Sequence, residues 1–294
     1  MTTPVTTPPL SLEPASSLRV RLEELEEQSR ARALAVAVHD LETGLQFRYR
    51  ADRWFHAAST IKLAVLLGVF ASIHSGRLLP QSRLHVRNRF RSAWDGSAFR
   101  VLSERDADSE VQAAVGKAMR VGELARHMIV RSSNLATNLL LDLLGLEFLQ
   151  KALDDQSISG IDLRRGVEDE LAFEHGINNR VTADGLVQLL RLVAEERAFT
   201  PALSRGMLEI LHDQEFRSGI PAGLPASARV AHKTGEISTI AHDAGIVYLP
   251  KRRPYVLAIL TEWEPETTGR SPTIAAASYM IHEHLMGGKD DDDE

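Results

Sequence analysis

Cysteine is absent from the 294 residues, which removes disulfides, thiolate metal ligands and a cysteine nucleophile together. Covalent catalysis would have to use Ser, Thr, Lys, Asp or Glu. An excess of basic residues is also missing. The formal net charge is −6 and is spread along the chain, so the electrostatic footprint of a nucleic-acid binder is not there. No apolar run approaches the roughly 18 to 20 residues that span a bilayer. The nearest, Leu63 to Ile73, is short and broken by Gly68. The opening MTTPVTTPPLSLEPASS has neither a basic n-region nor an apolar h-region, and reads as a flexible tail over 1–16. The compartment stays open: cytoplasmic as the chain stands, periplasmic or secreted if a leader has been removed. At the far end, GGKDDDDE reads as a solvated acidic tail over 287–294.

The hydrophobic content of 44% is enough for a substantial core. Leu18, Leu22 and Leu25 form an i, i+4, i+7 stripe among glutamates, which predicts an amphipathic surface helix. Leu34, Val36 and Val38 alternate, Asp40 to Gly44 supplies turn chemistry, and Leu45, Phe47 and Tyr49 alternate again, which predicts an antiparallel hairpin. From Ser59 to about Ser75 the apolar residues are nearly continuous, with Gly76 placed as a cap, so a buried helix is expected. Helical patterns dominate from Leu78 to Ile210, apart from a polar, loop-rich stretch over Arg89 to Lys117. Strand signals return at Arg229 to Lys233, Gly245 to Leu249 and Tyr255 to Thr261, and a last helix is expected over Ile274 to Met286. This order predicts an α+β protein with one antiparallel sheet flanked by the N- and C-terminal helices. The sheet part covers 17–75 and 203–286, and an all-helical subdomain is inserted over 76–202.

Three short segments carry chemistry. In Ala58-Ser59-Thr60-Ile61-Lys62 the i, i+3 spacing puts a hydroxyl and an amine on one helical face, where a buried amine of lowered pKa can accept the hydroxyl proton. A helix cap with a solvated lysine is the plainer alternative, but Leu63 to Leu67 make the surroundings of Lys62 apolar. Ser132-Ser133-Asn134 opens a helix over Leu135 to Leu144 and could be no more than a capping cluster. Lys233-Thr234-Gly235 sits at a strand end, where glycine marks a turn or lets a ligand backbone lie against the strand.

Taken together, in this order, the three resemble the S-x-x-K, S-D-N and K-T-G signature of class A β-lactamases and the related penicillin-recognising serine enzymes. FHAASTIKLAVL, MIVRSSNLATNLLLDLLG with Asn138, FRSGIPAG followed by ARVAHKTG, and HDAGIVYLP extend the likeness over about Leu18 to Leu285. The resemblance implies a fold of the β-lactamase and transpeptidase kind. It also implies hydrolysis of a β-lactam amide through an acyl-enzyme on Ser59. Lys62 would be the proton acceptor or relay, Ser132 the proton donor to the leaving nitrogen, and Asn134 the holder of the substrate amide. Lys233 and Thr234 would bind the substrate carboxylate. Gly235 would line the strand edge, and the amides of Ser59 and Glu236 would bind the oxyanion. Ser59 and Lys62 are expected within hydrogen-bond reach, with Ser132 and Lys233 completing the cluster. The implied partner is a small-molecule substrate, with no metal, no organic cofactor and no nucleic acid.

The chain departs from that pattern in three places. Ser133 stands where the family has Asp. The interval before the second motif is longer, with an apparent insertion near Ser103 to Val111. Glu168 matches the deacylating glutamate, but Ala172 replaces the Asn that helps to hold the water, and the run from Glu168 to Thr182 looks shortened. Slow deacylation is therefore expected. A D,D-peptidase or esterase of the same superfamily, and a non-turnover penicillin-binding or sensor module, are the alternatives. His282 and His284 stand i, i+2 on a helix and point apart, so no metal role is assigned to them. His39, His56, His232 and His242 receive no catalytic role.

Overall fold

In the computed structural model, which describes residues 15–287, five strands form one antiparallel sheet. They are β1 (Ala33–Asp40), β2 (Gln46–Tyr49), β3 (Arg229–Ile237), β4 (Ile240–Tyr248) and β5 (Tyr255–Glu262), in the spatial order β3-β4-β5-β1-β2. The tails expected at the two ends lie almost wholly outside the described residues.

The sheet is covered on both faces, and β1 shows how the sequence arranges this. Leu34, Val36 and Val38 point to a core shared with Leu18 and Leu22 of α1 (Ala15–Ser29), whereas Ala33, Ala35 and Ala37 point to the core beneath the helices on the other side. Small side chains on that face let helices approach closely. The terminal helix α10 (Arg270–Met286) closes the first core with Ile274, Ala277 and Ile281. The fold is α+β, with helix, sheet and helix in three layers.

The core on the alanine side is built with α2 (Lys62–His74), α3 (Ser109–Ala113), α4 (Val121–Val130), α5 (Asn134–Leu144), α6 (Leu146–Asp155), α8 (Ala183–Ala194) and α9 (Pro201–His212), and the short α7 (Glu170–Glu174) lies between α6 and α8 in the chain. Helix α2 is buried from Lys62 through Phe70. Gly68 lets α6 cross it closely, since a Cβ there would come within 2.0 Å of Leu149 Cδ2. The stretch expected to be loop-rich holds a hairpin of Phe90–Arg91 with Ala98–Phe99, a 3₁₀ turn at Ser103–Arg105 and the short α3.

Two boundaries differ from the sequence reading. The strand carrying Lys233 continues to Ile237 and turns back through Ser238 and Thr239, so β4 begins at Ile240 rather than Gly245. The polar pair His242 and Asp243 hid its first half, because both are buried against partners of their own. Helix α10 begins at Arg270, four residues early, with Pro272 in its first turn. There the missing N–H removes no intrahelical bond.

Candidate functional site

The first motif forms a 3₁₀ turn, Ala58–Ile61, that runs directly into α2. Short strand Phe55–His56 pairs with Arg180–Val181, Ala57 N–H donates to Asn179 O at 2.9 Å, and Thr60 Oγ1 donates to Ala57 O at 2.6 Å. These bonds hold Ala58 at φ +45°, in the left-handed region that an alanine seldom adopts. The turn leaves Ser59 half-buried on the wall of an open cleft that Ser132, Asn134, Thr234, Gly235 and Glu236 also line.

Lys62, one turn on, is fully buried. Its Nζ donates to Ser132 O at 2.6 Å, Ser132 Oγ at 3.0 Å and Asn134 Oδ1 at 2.8 Å. The expected bond to Ser59 Oγ is not formed among the described residues, since two carbonyl oxygens and one hydroxyl already take the amine's hydrogens. Lys233 reaches the same place from β3 and is also fully buried, its Nζ donating to Ser132 Oγ at 3.0 Å and to Thr234 O at 2.9 Å. Ser132 is thus held between two amines. Burial pushes the Lys62 amine well below its ordinary value, and the charge of Lys233 adds to the push, while Asp106 and Glu168 oppose it. Burial likewise brings Lys233 down to about 7, against the opposing charge of Asp243.

Ser132 lies in the bend between α4 and α5 at φ +58°. Ser133 is the cap of α5, its Oγ accepting from Ala136 N–H at 3.1 Å. The capping alternative therefore holds for the middle residue of the motif, while its neighbours face the cleft. Asn134 Nδ2 donates to Arg105 O at 3.0 Å and to Glu168 Oε1 at 3.3 Å.

Glu168 is the third non-glycine residue near the cleft with a left-handed backbone, at φ +62°. Asn138 grips the preceding residue from both sides: its Nδ2 donates to Val167 O and its Oδ1 accepts from Val167 N–H, each at 2.8 Å. Burial raises the Glu168 carboxyl, and the Arg105 guanidinium, 3.2 Å from Oε2, opposes this. Arg105 also pairs with Glu170. Glu168 lines an adjoining hollow with Asp169, Glu170 and Leu171, not the wall that carries Ser59, and Arg105 lines both. Ala172 is fully buried in α7, where its N–H is taken by the Asp169 side chain at 3.2 Å.

On β3, Gly235 faces the nucleophile turn. A Cβ at this position would stand 3.0 Å from Thr60 N and 3.1 Å from Ser59 N, so glycine here serves close approach rather than a turn. Glu236 is exposed, and its Oε1 accepts from Arg270 at 2.7 Å. The histidines lie around the cleft or remote from it. His56 Nδ1 accepts from Ala58 N–H at 3.0 Å, His232 is buried against Asp243 at 2.9 Å, and His242, nearly buried in the wall of the cleft, has Nε2 3.0 Å from His56 O. Burial lowers both His56 and His242 to about 4. His282 and His284 are both on α10. Arg105 and Asp106 were not singled out from the sequence. The available signal was two charged residues inside an insertion, upstream of a motif that lacks its own acid.

A five-stranded antiparallel sheet between helical layers, with the Ser-x-x-Lys turn laid against the Lys-Thr-Gly strand, defines the class: a β-lactamase and transpeptidase type of fold. The model of the beta-lactamase enzyme family matches residues 17–285, and the chain belongs to that family. It is 29% identical over 274 residues to beta-lactamase ROB-1 of Haemophilus influenzae, covering 90% of this chain and 83% of that one. Among solved structures it resembles the class A beta-lactamase of Mycobacterium abscessus, with TM-score 0.80, 25% identity, and coverage of 92% and 99% of the two chains. It also shares its fold with PBP-A, with TM-score 0.79, 24% identity, and coverage of 96% and 99%. No helix among the described residues is long and apolar enough to cross a membrane.

Proposed function

We propose that the protein opens β-lactams through an acyl-enzyme on Ser59 and releases the acyl group slowly. The observation that carries this reading is the buried run Lys233–Ser132–Lys62 beside a hydroxyl on an open cleft, with both amines below their ordinary values. In its neutral form Lys62 can donate to only two of its three acceptors, and the lone pair so released takes the Ser59 proton as Oγ attacks the lactam carbonyl carbon. When the carbon–nitrogen bond breaks, Ser132 gives its proton to the leaving nitrogen and regains one from Lys62. Charged Lys233, with Thr234, receives the substrate carboxylate, Asn134 binds the acyl amide, and the backbone N–H groups of Ser59 and Glu236 bind the oxyanion.

Slow release rests on Glu168. Its carboxylate is engaged by Arg105 and Asn134, and Ala172 offers no side-chain amide to fix a water beside it. A water displaced by about 1 Å costs on the order of a hundredfold in rate. The same observation favours the second reading, a penicillin-binding module that is acylated and holds its ligand. Mass spectrometry after adding benzylpenicillin separates them. An adduct that forms and then disappears means turnover, whereas one that lasts means binding. Ser59→Ala should take no adduct and keep its fold, and undiminished labelling of this variant would move the nucleophile elsewhere. Hydrolysis of a p-nitrophenyl ester in preference to a chromogenic cephalosporin would instead support the esterase or peptidase alternative.

A further inference from the structure

The second motif lacks its acid, yet a carboxylate from the inserted segment reaches the start of α5. Asp106 Oδ1 accepts from Asn134 N–H and Oδ2 from Leu135 N–H, each at 2.9 Å. Ser133 Oγ stands 3.4 Å from Oδ2, and Gln112 Nε2 donates to it at 3.1 Å. The first amides of a helix have no intrahelical partner, and a negative charge there is favoured by the helix dipole. Ser133 caps only Ala136 N–H, leaving the amides of Asn134 and Leu135 to Asp106. The neighbouring Arg105 completes the hold. Its carbonyl takes Asn134 Nδ2, which turns Asn134 Oδ1 toward Lys62.

We propose that Asp106 is a positioning residue. From the inserted segment it supplies the carboxylate missing at position 133, and so fixes the first turn of α5 such that Ser132 and Asn134 keep their bonds to Lys62. The kinetic part of the test rests on the reading of Ser59 as an acylated nucleophile; a second part does not.

Without any substrate, the Lys62 amine can be followed by NMR in protein labelled at the lysine ε-carbon, with Lys62→Arg assigning the signal. The charges that face it are Lys233, which lowers it, and Asp106 and Glu168, which raise it. In Asp106→Asn one raising charge is gone, so Lys62 should titrate at lower pH than in the parent protein, and an unmoved titration overturns the inference. With a fluorescent penicillin, Asp106→Ala should acylate at least about tenfold more slowly. The double variant Asp106→Ala/Ser133→Asp, with the acid restored inside the motif, should recover most of the rate. Parent-like acylation in Asp106→Ala overturns the inference, as does a double variant that melts as a folded protein yet stays as slow as the single one. A parent protein that takes no label overturns the nucleophile reading instead, and the titration then decides the role of Asp106.

Discussion

At the scale of single residues, two lysines of one type are given different work by their surroundings. Both are buried, but Lys62 has the charge of Lys233 as a neighbour, whereas Lys233 has Asp243 behind it. Acylation by the route proposed needs Lys62 neutral and Lys233 charged. An amine at about 7 is protonated below that pH and loses its charge above it, so attraction for a substrate carboxylate weakens as pH rises. The second-order rate of acylation should therefore fall on the alkaline side of about 7. In Lys233→Arg, which keeps its charge throughout, that fall should vanish. A profile that is flat through this range in the parent protein would contradict the role given to Lys233. The residues that define the cluster were legible because each motif is local: three or four consecutive letters state the chemistry, and their order states the family. Arg105 and Asp106 were not legible, because their contacts to α5 join an irregular segment to a helix start with no periodicity to mark the pairing.

At the scale of elements, the hold on Glu168 is exerted at one remove. Asn138, buried in α5, makes two bonds to the backbone of Val167 and none to Glu168 itself. Asn138→Ala would leave the N–H and C=O of half-buried Val167 without these partners, at a cost of about 1–3 kcal/mol for each group that water does not reach. The expected outcome is a lower melting temperature together with faster amide hydrogen exchange over 166–172. Acylation should change little, since α5 keeps its own start at Asp106. Unchanged exchange in that segment would show that Asp169 and its bond from Ala93 N–H at 2.8 Å suffice. Strand extents were less legible than helices. His242 and Asp243 read as a break in β4 because sequence pattern counts polar residues as exposed, while here their partners are on neighbouring strands and turns.

At the scale of the whole molecule, the sheet separates two cores, and the cleft belongs to the edge between the sheet and the inner helices. Leu22 lies in the outer core, fully buried and remote from Ser59. Leu22→Ala should destabilise by about 2–5 kcal/mol, seen as a melting temperature lower by several degrees. The acylation rate at room temperature should be unchanged; a matched loss of rate would mean that the outer layer shapes the cleft. The alternation of β1 made that outer layer readable in advance, and the alanines on its other face are what the pattern understated. The backbone at the cleft has a consequence of a different kind. Ala58, Ser132 and Glu168 all sit at positive φ, and each such residue costs about 1–3 kcal/mol, against a net stability of about 5–15 kcal/mol for a typical domain. A sizeable part of the molecule's margin against heat is therefore lodged in the segments that would do its chemistry. Relieving the backbone at these three positions would raise the melting temperature and cost activity, so a descendant relieved there should melt later and acylate worse, whereas one relieved at Arg30, Ser157 or Lys251, which share the left-handed backbone away from the cleft, should melt later and acylate as before.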